Sequence, residues 1–139
     1  MAERSDVELL EDLLAVENRL ISAYEAALRR HAIDTLLGET LRDHEREHAR
    51  AIEQALAGAD GRNPRASVPP PELSGALDSR AAFARFAIGL ESAAVGVYAE
   101  TAPSIRDPRL RQPLGSIMAC EAAHVVGLRE ALGERFLTN

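Results

Sequence analysis

Apolar residues recur at helical spacing in four stretches of this chain. The first runs Leu10, Leu13, Leu14, Leu20, Ile21, Tyr24, Ala27, Leu28, and the second Leu37, Leu41, Ile52, Ala55, Leu56. The third is Phe83, Ala87, Leu90, Ala94, Val95, Tyr98, and the fourth Leu114, Ile117, Met118, Val125, Leu128, Leu132. Steps of three and four residues gather each set on one face of an α-helix. The two-residue alternation of a half-buried strand is nearly absent. The pattern predicts an all-α chain of four helices, at about residues 5–30, 34–57, 78–102 and 107–132, forming a single domain.

The predicted ends have local causes. Ser5-Asp6-Val7-Glu8 is a capping box, in which hydroxyl and carboxylate each serve the other's backbone N–H. Asp34 or a neighbour caps the second helix, and Gly58 suits its end. Asp78 or Ser79 opens the third, which stops before Pro103. Asp107-Pro108 reads as a cap followed by a first-turn proline, and Pro113 either kinks the fourth helix or marks its true start. Gly133 marks the stop.

The short link near His31 to Asp34 implies an antiparallel hairpin. Residues 58–77 form a long connector containing Pro69-Pro70-Pro71. Extended, a segment of that length reaches about 60 Å, more than the roughly 35 Å of a long helix. It is expected to cross the length of the bundle and make the second and third helices parallel.

Polar residues interrupt these stripes at matched places. Glu17 lies in the first, Glu45 and His48 in the second, Glu91 in the third, Glu121 and His124 in the fourth. In Glu45-x-x-His48 and Glu121-x-x-His124 the spacing places carboxylate and imidazole one turn apart on one helix face. A single such glutamate is more often a side chain that reaches solvent at the stripe edge or pairs with an arginine. All four helices carry one, however, and the histidines follow the second and the fourth. Four buried carboxylates repel unless cations neutralise them. A four-helix bundle holding a pair of metals uses this ligand set. Carboxylate with imidazole suits iron, manganese or zinc, and bridging glutamates suit the di-iron and di-manganese type.

The two halves repeat. Tyr24 follows Glu17 by seven residues, as Tyr98 follows Glu91. These tyrosines are either core aromatics whose hydroxyls find a polar partner, or hydroxyls that orient a ligand carboxylate on a facing helix. His31 and His44 read as structural or solvated, Glu47 as solvent-facing, and Cys120 as a small apolar residue.

Composition narrows the setting. The chain has 139 residues and a net charge of −6, with arginine as its only strongly basic residue. That acidity argues against nucleic acid and anionic membranes as partners. Cys120 is the single cysteine, so an intramolecular disulfide is impossible and a reducing compartment, the cytoplasm, is expected. No signal segment is seen, and no run is expected to span a membrane.

With Glu17, Glu45-x-x-His48, Glu91, Glu121-x-x-His124 and the two Glu/Tyr pairs, the chain resembles the ferritin-like superfamily, which includes ferritins, bacterioferritins and rubrerythrins. The resemblance covers all four helices. It implies a ferritin-like bundle with two iron ions, or manganese or zinc in their place. Glu17 and Glu91 would be terminal ligands, Glu45 and Glu121 bridging ligands, and His48 and His124 would complete one metal each. Tyr24 and Tyr98 would hydrogen-bond to ligand carboxylates. The implied activity is of the ferroxidase or peroxidase type, with oxygen or peroxide as oxidant. The alternatives are iron handling or metal buffering without catalysis, or a metal-free scaffold. No fifth cage helix and no Cys-x-x-Cys electron-transfer domain is expected, and a homodimer is the default for the fold.

Overall fold

A computed structural model describes residues 3–60 and 72–134. The helices are α1 (Asp6–Arg29), α2 (Thr35–Asp60), α3 (Arg80–Thr101) and α4 (Arg111–Ala131), with 3-10 turns at Ala102–Ser104 and Pro108–Leu110. The described residues contain no strand, and the fold is the all-α four-helix bundle expected.

Local chemistry sets the helix ends. Ser5 Oγ accepts from the Glu8 N–H at 3.2 Å, and the Glu8 carboxylate accepts from the Ser5 N–H at 2.8 Å, which completes the capping box. After α1, His31 takes a left-handed backbone (φ 54°) and the chain reverses. Asp34 Oδ1 then accepts from the Leu37 N–H at 3.0 Å and opens α2. Gly38 allows this corner to close, because a Cβ there would lie 2.7 Å from side-chain carbons of both Ile33 and Leu28.

Gly58 does not end α2, which runs on to Asp60. A helical glycine costs about 1 kcal/mol, which alone is too little to terminate a helix that its neighbours favour. Most of the expected connector, residues 61–71, lies outside the described residues. Ser79 Oγ caps α3 by accepting from the Ala82 N–H at 3.0 Å. Asp107 caps the 3-10 turn at Pro108–Leu110 rather than α4 itself. Helix α4 begins at Arg111, so Pro113 falls in its first turn, where a missing N–H leaves no bond unmade. Gly133 (φ 76°) ends α4 as expected.

The apolar core has two halves. In one, Leu10, Leu13 and Leu14 from the start of α1 meet Ile52 and Leu56 from the end of α2, Tyr98 from the end of α3 and Leu114 from the start of α4. In the other, Leu20, Tyr24 and Ala27 from the end of α1 meet Leu41 of α2, Phe83 and Ala87 from the start of α3 and Leu128 from the end of α4. Helices α1 and α4 therefore run one way and α2 and α3 the other. Each fully buried leucine or phenylalanine contributes about 1.5–3 kcal/mol. At the first end, the Asp6 carboxylate accepts from the backbone N–H groups of Arg106 (2.9 Å) and Asp107 (3.0 Å), tying the chain's start to the α3–α4 link.

One segment, Arg80–Ser104, is long and apolar enough by length and composition to cross a membrane, contrary to the sequence expectation. Its inward face carries Phe83, Ala87, Glu91, Ala94 and Tyr98, and the rest includes Phe86, Ile88, Leu90, Val95 and Val97 beside several alanines. These aliphatic and aromatic side chains, together with the alanines, raise its hydropathy. Between the two core halves lies a polar layer contributed by all four helices.

Candidate metal centre

The apolar periodicity that turns each helix inward also carries the acidic positions inward. Glu17 on α1, Glu45 on α2, Glu91 on α3 and Glu121 on α4 are all 0% exposed, and His48 and His124 are 9% and 4% exposed. The structure brings all six together.

Two groups form, each around one imidazole. His48 Nδ1 lies 3.0 Å from Glu121 Oε1, 3.1 Å from Glu45 Oε2 and 3.6 Å from Glu17 Oε2. His124 Nδ1 lies 2.9 Å from Glu45 Oε1, 3.0 Å from Glu121 Oε2 and 3.3 Å from Glu91 Oε1. Glu45 and Glu121 thus give one oxygen to each imidazole, while Glu17 and Glu91 each face one. The six residues offer two sets of four donors that could each surround an ion, Glu17/Glu45/His48/Glu121 and Glu45/Glu91/Glu121/His124.

The tyrosines serve the outer carboxylates from across the bundle. Tyr24 Oη on α1 donates to Glu91 Oε1 on α3 at 2.5 Å. Tyr98 Oη on α3 donates to Glu17 Oε1 on α1. Both are fully buried, and each is at once a core aromatic and a donor to a carboxylate of the centre. Tyr24 also packs edge-on against Phe83, with ring centroids 5.9 Å apart.

Despite these contacts, Glu17 Oε2, Glu45 Oε1, Glu91 Oε2, Glu121 Oε2 and His124 Nδ1 are buried without an aligned hydrogen bond. A ring nitrogen with three carboxylate oxygens around it carries at most one hydrogen and cannot serve them all. Buried polar atoms left in this way are costly, and a positive ion at the convergence point satisfies several at once. The donor set therefore fits cations bound through oxygen and nitrogen.

The electrostatics agree. Burial, with the charges of Glu121 and Glu45, pushes Glu17 up to about 8 against the pull of His48 and Tyr98. Burial, with Glu45 and Glu121, pushes Glu91 up to about 9 against the pull of His124. Burial opposes charge on His124 as well, but Glu121, Glu45 and Glu91 outweigh it and hold the imidazole up at about 12. His48 is raised in the same way by Glu121, Glu17 and Glu45, against its own burial. Burial also opposes charge on Glu121, yet its bonds to His124 and His48 hold it below the ordinary carboxylate range. The tyrosines are pushed up by burial and by the facing glutamate, so their hydroxyls stay protonated and donate. A divalent cation held by these carboxylates would replace the protons that the raised glutamates favour.

The sequence model of the ferritin-like domain matches residues 5–134. The chain belongs to the ferritin-like family. The solved structure of a conserved hypothetical protein from Mycobacterium tuberculosis superposes on it with a TM-score of 0.78 at 19% identity, over 96% of this chain and 94% of that one. At that identity the likeness speaks for the ferritin-like fold alone. No curated protein matches the sequence.

Two residues of this ferritin-like bundle lie closer to the centre than their sequence reading suggested. His44 and Cys120 are half-buried, with His44 Nδ1 3.0 Å and Cys120 Sγ 3.4 Å from His124 Nε2. A signal for them existed in the repeat, because His44 directly precedes Glu45 as Cys120 precedes Glu121. His31 and Glu47 are exposed.

Proposed function

We propose that this protein is a di-iron protein of the ferroxidase or peroxidase type. Iron held in the centre would supply electrons to oxygen or hydrogen peroxide, as metals in carboxylate-rich sites do. The observation that carries this reading is the division of the Glu45 and Glu121 carboxylates, one oxygen toward each imidazole.

Each residue has a part in it. Glu45 and Glu121 would each offer one oxygen to either position. Glu17 with His48 would complete one, and Glu91 with His124 the other. Oxygen and imidazole donors suit iron, with manganese and zinc as competitors of the same chemistry. Tyr98 holds Glu17 Oε1 and leaves Oε2 to face His48, while Tyr24 holds Glu91 Oε1, the oxygen that also faces His124. Leu13, Leu20 and Phe83, from the two core halves, keep the layer dry and strengthen every charge interaction within it.

The test is metal content and absorption together. Protein loaded anaerobically with ferrous iron is expected to hold two ions per chain. On adding oxygen or peroxide it should gain a near-ultraviolet ferric absorption that bleaches on reduction. Absence of stoichiometric binding, or bound iron inert to both oxidants, overturns the proposal and leaves metal buffering or a scaffold role.

A further inference from the structure

His44, Cys120 and His124 present two ring nitrogens and a sulfur within 4.8 Å of one another, which suggests a third cation position beside the centre. The ring geometry argues against it. The His44 and His124 planes are only 12° apart, and their centroids are 5.3 Å apart. Their nearest nitrogens, His44 Nδ1 and His124 Nε2, are 3.0 Å apart. The centroid separation is the nitrogen–nitrogen distance plus about one ring radius at each end. The rings therefore meet edge to edge, in nearly one plane, with the two nitrogens pointing at each other. An ion between them would sit near half of that gap from each nitrogen, well inside the roughly 2.0–2.1 Å of a zinc–imidazole bond. A single hydrogen fits the gap, at an ordinary hydrogen-bond distance.

We propose that His44 is a positioning residue for His124, accepting a hydrogen bond from its Nε2–H and so making the two metal positions unequal. The proposal rests on the di-metal reading in one respect, that His124 Nδ1 is the atom facing an ion. With Nδ1 of His124 given to an ion, its ring hydrogen must sit on Nε2. Nε2–H then donates to His44 Nδ1, which fixes the His44 tautomer in turn, with its own hydrogen on Nε2. Cys120 Sγ, at 3.4 Å from the same Nε2, is a weaker acceptor beside it.

The hydrogen bond does three things. It holds the ring so that Nδ1 faces Glu45, Glu91 and Glu121, where an ion would sit. It selects the tautomer that leaves Nδ1 bare. It also polarises the ring toward Nδ1, making that nitrogen a better donor to a cation. The internal repeat does not provide the same for the other half. Its counterpart of His44 is Cys120, on α4, and Cys120 turns to His124 of its own helix. Among the described residues, the ring-nitrogen contacts of His48 are to carboxylates of the centre. The position served by His124 should therefore fill first.

The experiment uses the full chain and two readouts. In the metal-free protein, nitrogen-15 NMR should show a through-hydrogen-bond coupling between His124 Nε2 and His44 Nδ1, lost in His44→Ala. Its absence from the wild type overturns the hydrogen bond whether or not the protein binds metal. In anaerobic titration with Fe2+ alone, the wild type should bind in two resolved steps. His44→Ala should weaken the tighter step by roughly 10–100-fold and spare the other. His44→Gln, whose amide oxygen can accept from the same N–H, should restore most of that loss. Equal weakening of both steps, no weakening, or His44→Gln as poor as His44→Ala overturns the positioning role. A chain that keeps the coupling but binds no Fe2+ overturns both the unequal positions and the di-iron reading, and leaves the hydrogen bond standing.

Discussion

The hydroxyl of Tyr24 donates to Glu91 Oε1 at 2.5 Å, joining α1 to α3 through the buried layer. Tyr98 does the same for Glu17 in the opposite direction. Tyr24→Phe keeps the ring, with its edge-on packing against Phe83, and deletes only the donor. Glu91 can then rotate, and Oε1, the oxygen that lies 3.3 Å from His124 Nδ1, is no longer held on the His124 side. Metal affinity at that position is expected to fall by roughly 10–100-fold, the usual effect of losing a partner that orients a ligand. Tyr98→Phe should produce the matching loss on the Glu17 side. Competition titration with a chelator measures both, and unchanged affinity in either variant would show that the tyrosines serve only the core.

Glu45 and Glu17 differ in how many ion positions they face, so their variants should differ in stoichiometry as well as affinity. Glu45→Gln or Glu121→Gln alters both positions and is expected to reduce bound metal from two ions to none at moderate metal concentration. Glu17→Gln or Glu91→Gln alters one position and should leave one ion bound. The amides keep the volume and remove the charge, so a change in ion count reports on the ligand rather than on collapse of the fold. Elemental analysis after desalting reads the count. One ion retained by Glu45→Gln would break the bridging assignment.

Why the six residues were legible in advance has a physical reason. A charged side chain in an apolar stripe is expensive, and Glu17, Glu45, Glu91 and Glu121 each break a stripe whose period was plain. The same period turns all four inward, and each is the eleventh or twelfth residue of its helix, which brings them to one level of the bundle. Glu17 and Tyr24 share a helix face, but that Tyr24 serves Glu91 instead depends on α1 and α3 lying side by side. His44 and Cys120 sit at stripe edges, where a small helix rotation decides between solvent and core. Their contact with His124 depends on how α2 and α4 are turned, which no single helix pattern contains. Gly58 was misleading because a glycine permits a helix to end without requiring it. Asp107 gave a true cap, but of a 3-10 turn, and a cap motif does not say how many residues follow.

Asp6 offers a control far from the metal layer. Its carboxylate accepts from the backbone N–H groups of Arg106 and Asp107, at 2.9 and 3.0 Å, while the residue also lies in the first turn of α1. Asp6→Ala leaves both donors to water and removes a favourable charge at a helix start. Because the site is partly exposed, water replaces much of what is lost, and the expected cost is about 1 kcal/mol. Urea denaturation of the metal-free protein should show it as a lower midpoint with an unchanged slope. Metal stoichiometry should stay at the wild-type value, and a lost ion would mean that the α3–α4 link controls the centre.

Metal loading should stabilise the whole bundle rather than one hairpin. The ligands come from all four helices, and both Glu45 on α2 and Glu121 on α4 face both positions, so an ion ties the α1–α2 hairpin to the α3–α4 hairpin. An ion that binds only the folded chain adds about 2.7 kcal/mol at a free concentration one hundred times its Kd. In a domain of this size that corresponds to a rise in Tm of several degrees. Scanning calorimetry with Fe2+ under anaerobic conditions, and separately with Mn2+ and Zn2+, should show a rise that grows with the logarithm of metal concentration. Hydrogen exchange should slow at α3 and α4 amides as much as at α1 and α2 amides. Protection limited to one hairpin would mean that the ion sits on one pair of helices and that Glu45 and Glu121 do not share it.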